Sequence, residues 1–158
     1  MNFHSLLLGL TALTAAPLAG GIAVGLDRKL TARLQSRYGP PVTQPLYDLL
    51  KLFGKECQWV NPWGPFFALL YLFASAAGLL LFVLGGDLLL LFFITTLALS
   101  FLIIGALAAV SPYSRLGAER ELILALIYEP LLLSVFIGCS QAAGSFDIDT
   151  IQNYPQAL

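Results

Sequence analysis

Apolar positions fall into four long runs, at about 3–26, 64–85, 88–110 and 122–144, with the polar residues gathered between them. The runs are rich in Leu, Ala, Phe and Ile and lack the two-residue alternation of a membrane barrel strand. A helix of ~20 such residues, rising 1.5 Å each, crosses a ~30 Å hydrocarbon core. In lipid the backbone must satisfy its own hydrogen bonds, so helices are expected. The pattern predicts an all-α polytopic membrane protein of about four transmembrane helices, a single membrane domain over residues 1–158, with loops at 27–63 and 111–121.

The first loop carries its own periodicity. Lys29, Arg33 and Arg37 are spaced four apart, so on a helix they form one ridge that extends span 1 with a cationic face. Gly39-Pro40-Pro41 cannot continue that helix. Beyond the break, Leu46, Leu49, Leu50 and Phe53 follow i, i+3, i+4, i+7, while Gln44, Asp48, Lys51 and Lys55 run along another face. This predicts a short amphipathic helix suited to the membrane interface. Trp59 and Trp63 mark the start of span 2, as aromatic belts do. Gly21-x-x-x-Gly25 in span 1 fits close packing of a second element.

Composition agrees with this pattern. The chain is 58% hydrophobic and 11% charged, with mean hydropathy +0.84, against about 25% charged residues in a soluble domain. Charge then orients it. Six of the eight Lys/Arg lie in 27–63, and the other two, Arg115 and Arg120, lie in 111–121. By the positive-inside rule both loops face the cytoplasm. Gly85-Gly86-Asp87 and the tail from Ser145 hold no basic residue, so both termini are expected outside. Met1-Asn2-Phe3-His4 lacks the basic n-region of a signal peptide, so span 1 reads as a retained helix.

Candidate chemistry is sparse. Cys57 and Cys139 are far apart and form no Cys-x-x-Cys, which argues against a zinc or iron–sulfur site within the chain. His4 is the one histidine, which excludes bis-histidine haem ligation and reads as an interfacial polar residue. Glu129 is the one carboxylate well inside a span, roughly 10 Å along the helix from Leu122. A charge there costs about 2.5–3.5 kcal/mol or more, so such a residue faces protein or water and marks an ion path by default. Pro130 follows and cannot donate to the Leu126 carbonyl, so a freed acceptor sits beside an ionisable group. The alternative is a structural Glu, neutral or hydrogen-bonded between helices.

Two segments resemble one family. Gln44-x-x-x-Asp48-x-x-Lys51-x-x-x-Lys55-Glu56, preceded by Arg33-Leu34-Gln35-Ser36-Arg37-Tyr38-Gly39-Pro40, is similar to the first cytoplasmic loop of a membrane-anchor subunit. That subunit is shared by respiratory complex I, as its subunit 1, and the membrane-bound energy-converting [NiFe] hydrogenases. Asp27-Arg28-Lys29 resembles its Glu-Arg-Lys, and Pro41 stands where complex I usually has Gly. The second segment is Ser111-Pro112-Tyr113-Ser114-Arg115-Leu116-Gly117-Ala118-Glu119-Arg120-Glu121, leading to Tyr128-Glu129-Pro130. Complex I relatives have a similar Tyr-x-x-x-Gly-Ala-x-Arg and Tyr-Glu. The Ser-Pro-Tyr-Ser start and the Glu-Pro end look more like the hydrogenase branch. The resemblance covers the chain but half of the family's usual length, as in a partial or shortened member.

The resemblance implies a subunit with no catalytic centre or bound cofactor of its own. The [NiFe] centre and [4Fe-4S] clusters would sit in partner subunits. The implied partners are hydrogenase large and small subunits, an iron–sulfur subunit, an antiporter-like membrane subunit and the bilayer of the cell membrane, with no nucleic acid. Ferredoxin would give electrons to the complex, which evolves hydrogen and moves protons or sodium. Arg28, Lys29, Arg33, Arg37, Gln44, Asp48, Lys51, Lys55, Glu56, Arg115 and Arg120 would form the docking face for a peripheral redox arm. Glu129 would relay protons, with Tyr128 beside it and Glu119 and Glu121 towards the cytoplasm. The alternatives are the quinone-site membrane component of complex I and a passive anchor without an ion path. A stand-alone transporter is less favoured, for want of an inverted repeat.

Overall fold

The computed structural model describes residues 3–56 and 61–153, with side chains from Leu7 onward. Cys57, Trp59 and the His4 side chain lie outside the described residues. Six helices follow in order: α1 Phe3–Leu34, α2 Gln44–Phe53, α3 Trp63–Val83, α4 Leu88–Ala108, α5 Pro112–Ala143 and α6 Ile148–Gln152. Among the described residues there is no strand, only one isolated bridge, Asp87 with Asp147. Four helices are long and apolar enough to cross a membrane: Leu7–Leu34, Trp63–Val83, Leu88–Ala108 and Pro112–Ala143. The chain forms two units, Met1–Gln58 and Trp59–Leu158.

In the first unit, α1 runs on past the expected span. Its 32 residues extend about 48 Å, so one end projects beyond a ~30 Å hydrocarbon core. Asp27, Arg28, Lys29 and Arg33 lie on that end. The helix stops one residue after Arg33, and the reason is local. Ser36 takes a left-handed φ of 55°. Its amide donates to the Arg33 carbonyl and the Arg37 amide to the Ala32 carbonyl, both at 3.0 Å. This pair of bonds is a Schellman closure, with serine where glycine is usual. Arg37 is therefore not on a helical ridge with Lys29 and Arg33, as its spacing leads one to expect.

The returning chain lies against α1. A Cβ on Gly39 would come 2.9 Å from the Ala32 Cβ, and one on Gly21 would come 2.6 Å from the Leu46 Cδ2. A Cβ on Gly25 would collide with the Val42 carbonyl. Gly21-x-x-x-Gly25 is thus a small-residue seat, and what it seats is α2 and its lead-in. The apolar face of α2 stays open beyond Leu46: Leu49, Leu50 and Phe53 are all exposed. That is the condition of a helix whose partner is an interface rather than a protein core. Lys55 falls past the end of α2, so it is not on the helical face drawn from the sequence.

In the second unit, α3 and α4 form an antiparallel hairpin packed through small residues. Gly78 is buried in α3 and Ala98 in α4, and a Cβ on Gly105 would come 3.0 Å from the Phe67 Cβ. The hairpin turns at Gly85, φ 70°. Asp87 then caps α4 by accepting from the Leu89 amide at 2.8 Å. The next helix, α5, starts earlier than expected. Residues 112–121, expected as a loop, are its first turns. Proline at the start of a helix loses no hydrogen bond that the helix could have made. Ser111, in extended conformation, supplies the carbonyl that receives the Arg115 amide at 3.2 Å. After Gly144, φ 71°, the chain folds back. Leu88 donates to the Phe146 carbonyl and Ile148 to the Gly86 carbonyl, which sets Ile148 into a cluster with Leu88 and Leu91.

Candidate ion-relay site and docking surfaces

In α5, Glu129 is half-buried and its neighbour Pro130 lies within the helix. Glu129, Tyr128, Leu132 and Phe136 form one wall of a cleft of about 240 Å³. The opposite wall is α4, contributing Leu91, Phe92, Thr95 and Thr96. Glu129 and Pro130 also border a second cleft of about 270 Å³ with Leu126, Leu133 and Phe92. The carboxyl thus faces a gap between two membrane helices. Among the described residues, the ion pairs are Arg28 with Asp48 and Arg115 with Glu119, so Glu129 has no cationic partner there.

The four sequence-proposed relay residues separate into two groups. Tyr128 and Glu129 share the cleft. Glu119 and Glu121 lie two to three turns nearer the start of α5 and are exposed. Glu119 is engaged with Arg115 at 3.4 Å, one helical turn away. Thr95 and Thr96 do not stand out in the sequence. Two hydroxyls inside an otherwise apolar run are the available signal, but only the pairing of α4 with α5 puts them opposite Glu129.

The docking candidates divide between the two units. In the first, Arg28 pairs with Asp48 at 3.8 Å, and Gln44 donates to Asp48 at 3.0 Å. These three therefore bind α2 to α1 as well as presenting charge. Lys29, Arg33 and Arg37 line one cleft of about 280 Å³ with Ser36, Tyr38 and Gly39, because the left-handed turn at Ser36 swings Arg37 back towards the helix. A neighbouring cleft of about 400 Å³ holds Asp27, Arg28, Thr31 and Arg37. Lys51, Lys55 and Glu56 are exposed. In the second unit, Arg115 and Arg120 are exposed at the start of α5. Among the described residues, no group of three His, Cys, Asp or Glu could hold a metal ion.

Comparison with known proteins places this geometry among relatives. The sequence model of a family described as NADH dehydrogenase matches residues 7–157. Formate hydrogenlyase subunit 4 of Escherichia coli (strain K12) is 32% identical over 168 residues, covering 96% of this chain and 53% of that protein. A membrane component of the NADH-quinone oxidoreductase of Campylobacter jejuni (strain RM1221) is 30% identical over 162 residues, covering 85% of this chain and 49% of that protein. Among solved structures, the membrane-bound sulfane sulfur reductase (MBS), an archaeal respiratory membrane complex, matches with TM-score 0.73 and 28% identity. That match covers 99% of this chain and 55% of the other. The chain spans about half the length of the relatives it matches.

Proposed function

We propose, for a chain that belongs to the NADH dehydrogenase family, that it is the membrane subunit of an energy-converting [NiFe] hydrogenase and couples electron transfer to ion movement. The observation that carries the reading is Glu129 facing a cleft between two membrane helices, beside a proline that frees a backbone carbonyl. A carboxyl in that position is costly unless it serves an ion path. In this reading Glu129 takes and releases protons, and Tyr128 shapes the cleft. The exposed Glu119 and Glu121 lie on the approach from the start of α5. The basic residues of α1 and α2, with Arg115 and Arg120, hold a peripheral arm built of hydrogenase large and small subunits and an iron–sulfur subunit. The [NiFe] centre and [4Fe-4S] clusters belong to that arm. Ferredoxin is the electron donor, protons the acceptor, an antiporter-like subunit the membrane neighbour, and the cell membrane the location.

The likeness to a formate hydrogenlyase subunit supports the hydrogenase branch, as do the Ser111–Ser114 start and the Glu129-Pro130 step. The likeness to a quinone oxidoreductase component favours a second reading, membership of a complex that reduces quinone. Gentle purification of the native complex, with subunits identified by mass spectrometry and nickel assayed, separates the two. Nickel with hydrogenase-like subunits is expected. Flavin and quinone-reactive subunits without nickel would move the chain to the quinone branch.

A further inference from the structure

The polar side chains of α4 within the membrane are Thr95, Thr96 and Ser100, and two of them line the Glu129 cleft. Their hydroxyl protons are already committed. Thr95 donates to the Leu91 and Phe92 carbonyls at 3.0 and 2.9 Å, and Thr96 to the Phe93 carbonyl at 3.0 Å. A hydroxyl has one proton and two lone pairs. What Thr95 and Thr96 retain for a neighbour is therefore acceptor capacity. An ionised Glu129 is acceptor-only as well. The Leu126 carbonyl, released by Pro130, adds a further acceptor beside the same carboxyl. The cleft is rich in acceptors and short of donors, and Tyr128 is the one side-chain donor on its wall.

Such a set of groups calls for a mobile donor. At about 240 Å³ the cleft has room for several waters at ~30 Å³ each. We infer that Thr95 and Thr96 are positioning residues, whose hydroxyl lone pairs hold a protonated water cluster against Glu129. The inference rests on the relay reading given above. In the step it serves, a hydronium gives its proton to the Glu129 carboxylate. One O–H bond of the hydronium breaks, one O–H bond forms on the carboxyl, water remains, and neither oxidant nor reductant is consumed. Packing explains why threonine rather than serine stands at position 95. Its methyl group lies against α3, where a Cβ on Gly78 would come 3.4 Å from it. That contact fixes the rotamer and leaves the hydroxyl on its own helix.

The test uses the intact complex in sealed vesicles, driven by its own redox reaction, with an internal pH dye and without sodium. Thr95→Val and Thr96→Val keep shape and remove a hydroxyl. Expected is normal turnover under an uncoupler, but a several-fold drop in protons moved per electron pair in the double variant, with Thr95→Ser near wild type. The carboxylic C=O infrared band, assigned by its loss in Glu129→Gln, should shift in Thr95→Val and stay fixed in Ser100→Ala. Full coupling and an unmoved band in both threonine variants, with coupling lost in Glu129→Gln, would overturn the positioning role and spare the relay. Normal coupling in Glu129→Gln would overturn the relay and this inference together. If the double variant does not assemble, the two single variants decide by the same readouts.

Discussion

Asn61 donates its side-chain amide to the Ala108 carbonyl at 2.7 Å, and its side-chain oxygen accepts the Trp63 amide at 3.1 Å. One residue thus caps the start of α3 and closes the end of α4. The Ala106 carbonyl on the same end receives the Ser114 hydroxyl at 2.9 Å. A helix end near lipid has few other donors for its last carbonyls. Asn61→Ala should cost about 1–3 kcal/mol, the penalty of leaving such groups unpaired. Thermal unfolding in detergent measures it, and a cost near zero would mean that water replaces the bond freely.

Gly25 has no room for a side chain against Val42. Gly25→Ala should lift the lead-in of α2 off α1, at about 1–3 kcal/mol for an overpacked contact. Limited proteolysis between residues 37 and 50 should accelerate, while the neighbouring Gly20, with open space around it, should tolerate alanine.

Ser36 holds a left-handed φ that glycine adopts without cost. Ser36→Gly should leave the α1 closure intact and relieve about 1–2 kcal/mol of strain, offset in part by added freedom of the unfolded chain. A rise in unfolding temperature is expected, and a fall would mean that the Ser36 side chain itself holds the turn.

Charge reversal at Lys29 and Arg33 tests the docking surface. Both lie in one cleft with Arg37 and form no ion pair among the described residues. The double variant Lys29→Glu, Arg33→Glu should leave the fold intact, since single exposed charges contribute about 0–1 kcal/mol to stability. It should release the peripheral subunits at a lower salt concentration than wild type, read on a native gel. Retention at the wild-type salt concentration would remove these residues from the docking face.

Pro130 interrupts α5 beside Glu129. Pro130→Ala should restore one backbone bond to the Leu126 carbonyl and stabilise the helix by up to about 3 kcal/mol. Coupling should fall in the same variant, because the freed carbonyl is lost to the cleft. A stabler variant with wild-type coupling would leave the proline only a structural role.

The fold class is legible in the sequence because continuous apolar runs and clustered charges are strong local signals. So is α2, whose leucines repeat at helical spacing. Helix ends are less legible. Residues 112–121 look like a loop because they are polar, yet proline at a first turn and the Ser111 carbonyl start a helix there. Arg37 looks helical by spacing, but the left-handed Ser36 intervenes, and serine carries no strong signal for that conformation. Glu129 is conspicuous as a charge in an apolar run. Its neighbours across the cleft, Thr95 and Thr96, are not, because which face of α4 meets α5 is decided by packing across the hairpin rather than by either sequence alone.

The length of α5 has a mechanical meaning. A single helix joins the exposed Arg115–Glu119 pair to Glu129, about 15 Å along the axis from Glu119. A rigid rod transmits rotation as well as translation. A push or twist at its polar end therefore arrives at the carboxyl undiminished, and the missing amide of Pro130 is the first place where the rod can bend. The carboxyl that receives the motion thus stands next to the hinge that absorbs it.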